Sequence, residues 1–431
     1  MKNIPLHTKI IIGLVLGLLT GLLSVVSGLD AYWIVSFVKP IGTIFVNLLK
    51  MIAVPLVLAS LIVGVASLND VSKLSRIGGK TIIIYILTTA FATSLGLVMA
   101  NLMQPGHQLP KETRDNLMSM YKVNNENNKK EADKIKSQSP LQPIVDMVPE
   151  NITAAAGDNR MMLQVVFFAV LLGIALIQIQ PEKSKIVIQF FDGLNDAIIK
   201  VVEYAMALAP YGVFALIASL IVEIAGDDAS KALSLLYALL WYGATVLIGL
   251  FLMVAVVYHI LLRMFSKVPF LTFIKSIQPA QLLAFSTSSS NATLPLSMEC
   301  AEKELGVSEE VASFVLPLGA TVNMDGTALY QSVAAVFIAQ ALGMDLTIYQ
   351  QLMIVLTATL ASIGSAGVPG AGMVMLVIVL ESVNVPTAGI ALIVGIDRIL
   401  DMCRTVVNVT GDLVVSVVIA ESEGKLKKLQ S

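Results

Sequence analysis

The sequence predicts an all-α membrane protein with eight transmembrane helices and two re-entrant helical hairpins that belong to inverted repeats. Three observations support this fold class. The 431 residues are 56% hydrophobic and 13% charged, whereas soluble domains are about 25% charged. Eight apolar runs are long enough to cross a bilayer, which takes about 20 residues. Two further runs of similar length are interrupted in the middle by small and helix-breaking residues.

The first six predicted spans lie before residue 263. Their apolar runs are 8–28, 36–66, 79–103, 160–180, 190–224 and 233–262. Lysine and arginine fall in alternate connections, at Lys2, Lys9, Lys73, Arg76, Lys80, Lys183, Lys185, Arg263 and Lys267. By the positive-inside rule, both termini and every second connection are predicted to be cytoplasmic. The polar segment 104–159 is predicted to be a long extracellular loop, since long loops do not set topology.

The two interrupted segments are predicted to be helical hairpins. Segment 271–304 is centred on 286–295, and segment 348–383 is centred on 361–372. Broken segments in corresponding positions of two halves indicate an inverted repeat around a central binding site. The alternative is a pair of ordinary kinked helices, but one proline or glycine is enough for a kink. The second centre instead has four glycines, one proline and two serines.

The span after the first hairpin, 308–340, carries a candidate cation site. On a straight helix Asn323 and Asp325 would point about 200° apart, so a locally unwound turn is predicted there. Gly326 would permit that turn. Oxygen atoms of these residues and Thr327 would suit a hard cation, with freed main-chain carbonyls as further ligands. The alternative is a structural glycine beside an aspartate with satisfied hydrogen bonds.

The last span, 387–420, carries a polar stripe. Five of its polar residues fall within an arc of about 80° over a length of about 22 Å, and they are Asp397, Asp401, Arg404, Asn408 and Asp412. A charge at the bilayer centre costs about 2.5–3.5 kcal/mol on insertion scales, so these groups need partners or ligands. The opposite side is Ile, Leu and Val. We therefore predict that the stripe faces a site for charged ligands, with a solvated helix face as the alternative.

Four motifs together resemble those of the excitatory amino-acid transporter family, the dicarboxylate/amino-acid:cation symporters. They are N-M-D-G-T, S-S-S-x-A-T-L-P, S-I-G-x-A-G-V-P-G-A-G and D-x-x-x-D-x-x-R-T-x-x-N-x-x-G-D. The resemblance covers nearly the whole chain and is densest from 281 to 415. It implies a sodium-coupled symporter that imports L-aspartate or L-glutamate by an elevator-type alternating-access mechanism. Proton coupling and neutral amino acids are the alternatives within the family.

The resemblance also implies the assembly and the domains. It implies a homotrimer in the plasma membrane of a prokaryote, in contact with membrane lipid. Residues 1–78 and 160–226 would form the scaffold, and residues 79–104 and 227–422 the moving transport domain. Residues 105–159 would be the extracellular loop and 423–431 a cytoplasmic tail.

Site residues follow from the same resemblance. Asp401 matches the ligand of the substrate α-ammonium group, Arg404 the ligand of its side-chain carboxylate, and Asn408 the ligand of its α-carboxylate. The implied substrate-binding residues are Ser289, Ser290, Thr327, Val368, Gly372, Asp401, Arg404, Thr405 and Asn408. The first implied sodium site comprises Asn408, Asp412 and the carbonyls of Gly319 and Asn323. The second comprises carbonyls of Thr321, Ser362, Ile363 and Ser365, and the third comprises Tyr85, Thr88, Thr89, Asn323 and Asp325.

Four positions differ from family patterns, and one of them is Asn291, which replaces a serine common in the first hairpin break. Gln331 stands where animal members that export potassium carry a glutamate, so potassium counter-transport is not expected. Ser288 stands where archaeal members have an arginine. Arg398 follows Asp397, whereas the additional arginine of animal members follows the residue equivalent to Asp401. Whether Arg398 reaches the same place is open at this stage.

Other function classes are less consistent with the sequence. An intramembrane protease using the serines at 288–290 would need a base within hydrogen-bond reach, and no histidine or lysine at membrane depth is a convincing partner. A channel is usually built around a continuous lined pore, whereas hairpins with a charged site suit alternating access. A net charge of −2 suggests no nucleic-acid partner. The expected partners are substrate, sodium and lipid.

Overall fold

The predicted all-α fold is confirmed. The structure is a computed structural model that describes residues 6–27, 31–66, 75–120, 145, 148–157, 161–225, 229–363, 367 and 369–427. Within these ranges the regular structure is helical, and one isolated antiparallel bridge joins Val307 to Leu426. Predictions that fall on Lys2, Lys73 and most of the loop 105–159 lie outside the described residues.

In the described part of the chain, fifteen helices define the architecture, and we number them in chain order. They are α1 Leu6–Ser27, α2 Lys39–Ala66, α3 Ser75–Met103, α4 Met162–Gln178, α5 Pro181–Ala207, α6 Ala209–Ala225, α7 Ala229–Leu252, α8 His259–Phe265, α9 Phe270–Thr287, α10 Ser290–Glu299, α11 Glu309–Val322, α12 Asp325–Ala341, α13 Ile348–Ile363, α14 Ala371–Ser382 and α15 Ile390–Ser422. Short helices at Lys111–Met120 and Ile152–Ala156 lie in the predicted loop. A π-helical segment, Met253–Tyr258, joins α7 to α8.

Several helices have the length and composition of membrane spans. Five candidates pass this test in the described part of the chain: Thr8–Val25, Ile34–Val63, Ile77–Gln108, Ser234–Phe265 and Thr387–Ser422. A bent pair, Pro181–Ala207 with Ala209–Glu223, would make a sixth. The protein is therefore a multi-pass membrane protein, and the count of eight spans stays a prediction.

The predicted span 190–224 corresponds to a bent pair of helices and not to one straight helix. Helix starts at Pro181, breaks at Leu208 and continues at an angle of 50°. Pro210 explains the break, because it has no N–H group to donate to a carbonyl of the preceding turn and is tolerated in the first turn of a new helix. The sequence does not predict this bend, because the apolar composition of the run does not change across the proline.

Both interrupted segments form two helices separated by a break. In the first, Ser288 joins α9 to α10 in the left-handed region at φ 52°. In the second, α13 and α14 have 16 and 12 residues, each shorter than the roughly 20 residues that span a bilayer. Of the connection between them, Gly367, Pro369 and Gly370 are described. That the two pairs are re-entrant stays a prediction.

Helices α12 and α15 form the centre of the molecule. Every residue of α12 is buried, and the apolar window of α15 is 83% buried, against 28–50% for the other four single-helix candidate spans. Helix α15 packs on α9, α11 and α12, and α12 packs on α3. These contacts bring the polar stripe and the predicted cation residues into the protein interior.

Candidate functional site

The predicted stripe on α15 faces the protein interior. Asp397, Asp401, Arg404, Asn408 and Asp412 are all buried, so the alternative of a solvated face does not hold. A single uninterrupted helix carries all five groups. Residues spaced by three or four positions lie on one side of a helix. The spacing in the sequence therefore predicted correctly that these five residues share one face.

Arg404 is the most enclosed charge of the stripe. Its Nη2 donates to Asp401 Oδ1 at 2.7 Å, and its Nη1 lies 3.2 Å from Asp397 Oδ1. The guanidinium carbon lies 3.7 Å from the centre of the Tyr330 ring, which contributes a cation–π contact from α12. Two carboxylates and a ring thus compensate one fully buried cation, as a buried charge requires.

Asp401 connects this cluster to the second hairpin. Its Oδ2 accepts a hydrogen bond from the backbone N–H of Gly370 at 3.2 Å and from Arg398 Nη1 at 3.3 Å. Arg398 is also buried. The Arg398 guanidinium therefore reaches Asp401 from one turn earlier on the same helix.

A small cavity of about 10 Å³ lies between the two hairpin breaks and α15, with room for about one water molecule. Its lining residues are Ser288, Ser290, Met324, Thr327, Gly367, Ala371, Gly372, Asp401, Thr405 and Asn408. Ser289 Oγ donates to the Gly367 carbonyl at 2.6 Å, and Asn291 N–H donates to the same oxygen at 3.3 Å. These two hydrogen bonds join the first hairpin break to the second beside the cavity.

Most of the implied substrate-binding set surrounds this cavity. Ser290, Thr327, Gly372, Asp401, Thr405 and Asn408 line it. Ser289 lies at the contact between the breaks, and its Oγ also accepts from Ala292 N–H at 3.2 Å. Arg404 lies behind Gly372, because a Cβ added to Gly372 would be 3.2 Å from Arg404 Nη1. Val368 is outside the described residues.

Asn408 links the cavity to the start of α12. Its Oδ1 accepts from the backbone N–H of Gly326 at 2.7 Å, and its Nδ2 donates to Thr327 Oγ1 at 3.1 Å. The predicted unwound turn is confirmed at Asn323 and Met324, between α11 and α12. Our explanation from Gly326 was wrong, since Gly326 is helical. Its missing side chain instead allows close approach, because a Cβ there would lie 2.5 Å from the Arg404 carbonyl.

The unwound turn lies in a second cluster of buried oxygen-bearing side chains. Asp325 Oδ1 accepts from Thr89 Oγ1 at 2.7 Å, and Asn323 Nδ2 donates to Asp412 Oδ1 at 2.9 Å. Thr88 Oγ1 donates to Asn323 Oδ1 at 3.4 Å. Residues from α3, the α11–α12 turn and α15 thus converge, and their carboxylate, amide and hydroxyl oxygens are suitable ligands for a hard cation.

The structure brings the residues of the three implied sodium sites together to different extents. The third set is assembled around Asp325 and Asn323, with the Tyr85 hydroxyl donating to the Val315 carbonyl at 2.9 Å nearby. In the first set, Gly319 lies close to Asp412 and Tyr85, and its carbonyl accepts from Asn323 N–H at 2.8 Å. In the second set, the Thr321 and Ser362 hydroxyls bond within their own helices. The Ile363 side chain and Ser365 lie outside what the structure describes.

Sequence reasoning missed three members of these clusters. Asp397 was on the predicted stripe, and its spacing from Arg404 was the available signal, but no ligand role was assigned to it. Tyr330 stacks on Arg404 from another helix, and Tyr258 OH donates to Asp325 Oδ2 at 2.7 Å. A contact between helices that are distant in sequence leaves no pattern in the residues around either partner. The spacing of residues therefore did not identify the two tyrosines.

Paired charges and buried oxygen-bearing side chains between two broken helix pairs are typical of a secondary transporter when they occur in a multi-pass helical protein. The chain belongs to the sodium:dicarboxylate symporter family, whose family model matches residues 6–422. The protein is therefore a transporter and not an enzyme, and the resemblance seen in its motifs is confirmed.

Curated relatives match the chain over nearly its whole length. A proton/sodium-glutamate symport protein of Bacillus caldotenax is 37% identical over 99% of this chain and 96% of the relative. A proton/glutamate-aspartate symporter of Escherichia coli (strain K12) is 36% identical over 99% of this chain and 95% of the relative. Excitatory amino acid transporter 3 of Mus musculus is 35% identical over 94% and 82% respectively.

Proposed function

We propose that this protein is a sodium-coupled symporter that imports the acidic amino acids L-aspartate and L-glutamate. The observation that carries the proposal is the buried pair of Arg404 and Asp401, one turn apart and 2.7 Å from each other, beside the cavity between the hairpin breaks. The names of the relatives, which are glutamate or glutamate–aspartate symporters, support the same substrate class.

In this proposal the charged groups of the substrate replace the ion pair between Arg404 and Asp401 with two ion pairs to the substrate. The α-ammonium group binds Asp401, and the side-chain carboxylate binds Arg404 through two parallel hydrogen bonds, a geometry that lysine cannot reproduce. Asn408 and Thr327, already hydrogen-bonded to each other, bind the α-carboxylate with backbone groups of the hairpin breaks. Each buried charge then keeps an opposite charge when the substrate separates Arg404 from Asp401.

The buried oxygen cluster binds the co-transported cations, for which two or three sodium ions are proposed. Each sodium ion that moves down a potential of 100 mV gains about 2.3 kcal/mol, and a tenfold concentration gradient adds about 1.4 kcal/mol. Three ions would supply roughly 11 kcal/mol, and moving one net negative substrate inward takes about 2.3 kcal/mol. That difference supports strong accumulation of substrate.

Proton coupling is the second candidate. It is favoured by the buried carboxylates Asp325 and Asp412 in the cation cluster, and by the name of the E. coli relative, a proton/glutamate-aspartate symporter. Neutral amino acids are a third candidate within the family, but they would leave Arg404 without a substrate carboxylate.

The same proposal includes an elevator-type motion of a transport domain, 79–104 and 227–422, along a scaffold, 1–78 and 160–226. Helix packing is compatible with this division. Helix α1 packs on α6, and α2 packs on α4, α5 and α6, whereas α3 packs on α12. Exposed apolar side chains on α5, such as Ile186, Phe190 and Tyr204, suit contact with lipid or with other protomers of a homotrimer. Native mass spectrometry should give three protomers.

Substrate class is tested by equilibrium binding to the purified protein. Aspartate, glutamate, serine and succinate are titrated in sodium buffer and in choline buffer. We expect tight binding of aspartate and glutamate in sodium, weak binding of serine, which lacks the second carboxylate, and weak binding of succinate, which lacks the ammonium group. Equal affinity for serine and aspartate would contradict the role of Arg404.

A further inference from the structure

We propose that Tyr258 is a positioning residue of the cation site and sets the affinity for sodium through Asp325. The inference rests on the proposed sodium coupling. The Tyr258 side chain is 0% exposed, and its hydroxyl donates to Asp325 Oδ2 at 2.7 Å. Thr89 Oγ1 donates to the other oxygen of the same carboxylate, also at 2.7 Å.

The short contact to Asp325 is the stronger of two that the hydroxyl makes. The carbonyl oxygen of Val407 lies 3.4 Å from the same hydroxyl. A hydroxyl has one proton to donate, and a hydrogen bond to an ionised carboxylate is shorter and stronger than one to a neutral carbonyl. Tyr258 therefore donates its hydroxyl hydrogen bond to Asp325 and not to Val407. Tyr258 and Thr89 together fix the positions of both carboxylate oxygens.

A local irregularity of the helix directs Tyr258 to this place. Tyr258 is the last residue of the π-helical segment Met253–Tyr258 between α7 and α8. One extra residue in a turn rotates the following positions by about 100° around the helix axis relative to an uninterrupted α-helix, and such segments are frequent at functional sites. The neighbouring residue Val257 lines an apolar groove against α3 and α15 instead.

Two hydroxyl donors leave the carboxylate able to bind a cation. Each carboxylate oxygen can accept more than one contact, so Oδ1 and Oδ2 can retain Thr89 and Tyr258 while an ion approaches from the side of Asn323. Without the Tyr258 hydroxyl, Oδ2 has one fewer group to fix its direction. We therefore expect weaker sodium binding, with little effect on the substrate residues, which lie around Asp401.

The test compares Tyr258→Phe with Tyr242→Phe in the full-length protein. Tyr242 lies on the preceding helix α7, is also fully buried, and stacks on Phe337 at 4.6 Å between ring centres, so it controls for the loss of a buried tyrosine hydroxyl. Two quantities are measured against sodium concentration: the melting temperature without substrate, and aspartate uptake into proteoliposomes. Loss of one hydrogen bond to a charged group corresponds to about a tenfold change in affinity.

For Tyr258→Phe we expect the half-saturating sodium concentration to rise about tenfold in both measurements, with aspartate affinity retained at saturating sodium. Tyr242→Phe should keep the half-saturating sodium concentration of the wild type. A wild type without any sodium response would contradict the proposed function itself. A sodium-dependent wild type with an unchanged Tyr258→Phe would overturn the positioning role alone.

A second variant keeps the inference testable if Tyr258→Phe is not stable enough to purify. A Cβ added at position 411 would lie 2.5 Å from the Tyr258 hydroxyl and 3.1 Å from Asn323 Nδ2. Gly411→Ala therefore displaces the hydroxyl, the nearer of these two groups, from Asp325 while the tyrosine remains. We expect the same rise in the sodium requirement, and an unchanged sodium requirement in Gly411→Ala would also overturn the inference.

Discussion

At the residue scale, Arg404 has carboxylate partners within the protein itself. Asp397 and Asp401 lie on the same helix as Arg404, and Tyr330 covers the face of its guanidinium. A dicarboxylic amino acid can replace Asp401 as partner of Arg404 while its ammonium group takes Asp401. In the proposed function, recognition of an acidic substrate is therefore an exchange of ion pairs, after which each buried charge again has a partner of opposite sign.

Replacing Arg404 should change the substrate class. We expect Arg404→Cys to lower aspartate affinity roughly 10- to 150-fold, the equivalent of losing one hydrogen bond to a charged group, while transport of serine or alanine is retained or gained. Uptake competition by aspartate, glutamate, serine and succinate measures this. Arg398→Cys is the matched comparison and should cause a smaller loss, because Asp401 keeps Arg404 and Gly370. Undiminished aspartate affinity in Arg404→Cys would place the side-chain carboxylate elsewhere.

Replacing Asp401 should act on all amino acids alike. Every amino-acid substrate has the α-ammonium group, so Asp401→Asn should weaken aspartate, glutamate and serine by similar factors, of the order of tenfold or more. The same competition assay checks this. A loss confined to acidic substrates would show that Asp401 does not bind the ammonium group.

Gln331 leads to a prediction about potassium. Its Nε2 donates to the Gly372 carbonyl at 3.2 Å, so an uncharged amide links α12 to the second hairpin where potassium-exporting relatives would have a carboxylic acid. We expect uptake rates to be the same with potassium or choline inside proteoliposomes. A rate that rises severalfold with internal potassium would contradict this role.

At the element scale, the three helix breaks around the site, the two hairpin breaks and the unwound turn, were predictable from the sequence. Small residues and glycines at membrane depth indicated the hairpin breaks, and the 200° separation of Asn323 and Asp325 on a straight helix indicated the unwound turn. The bend at Leu208 and the π-helical segment before His259 were not predicted. In both places the apolar composition continues without change, so hydrophobic length carries no signal of the altered direction.

The contact between the hairpin breaks leads to a prediction about gating. Ser289 and Asn291 meet the Gly367 carbonyl, and we propose that the second hairpin is the extracellular gate. Spin labels at Ser286 and Pro369 should report a short distance with sodium and aspartate bound, and a longer, broader distribution without them. Ser289→Ala should shift the bound distribution toward longer distances. A distance that is unaffected by ligands would contradict gating by this hairpin.

At the scale of the whole molecule, the two clusters are physically continuous. Asn408 contacts the cavity between the hairpin breaks and the start of α12, and Asn323, at the preceding turn, bonds to Asp412. In the proposed function, a cation at the turn and a substrate at the cavity therefore share one short piece of backbone, which offers a route for coupling. The sequence predicted the members on α15 from helix periodicity, but it could not show that Tyr258, Tyr330 and Arg398 complete them.

The proposed coupling of acidic amino-acid uptake to sodium can be measured by uptake of radiolabelled aspartate into proteoliposomes. Vesicles are loaded with choline and diluted into sodium medium, choline medium, or choline medium with an imposed pH gradient. We expect accumulation above equilibrium only with the inward sodium gradient, and its loss when an ionophore dissipates that gradient. Equal accumulation in choline driven by the pH gradient alone would contradict it.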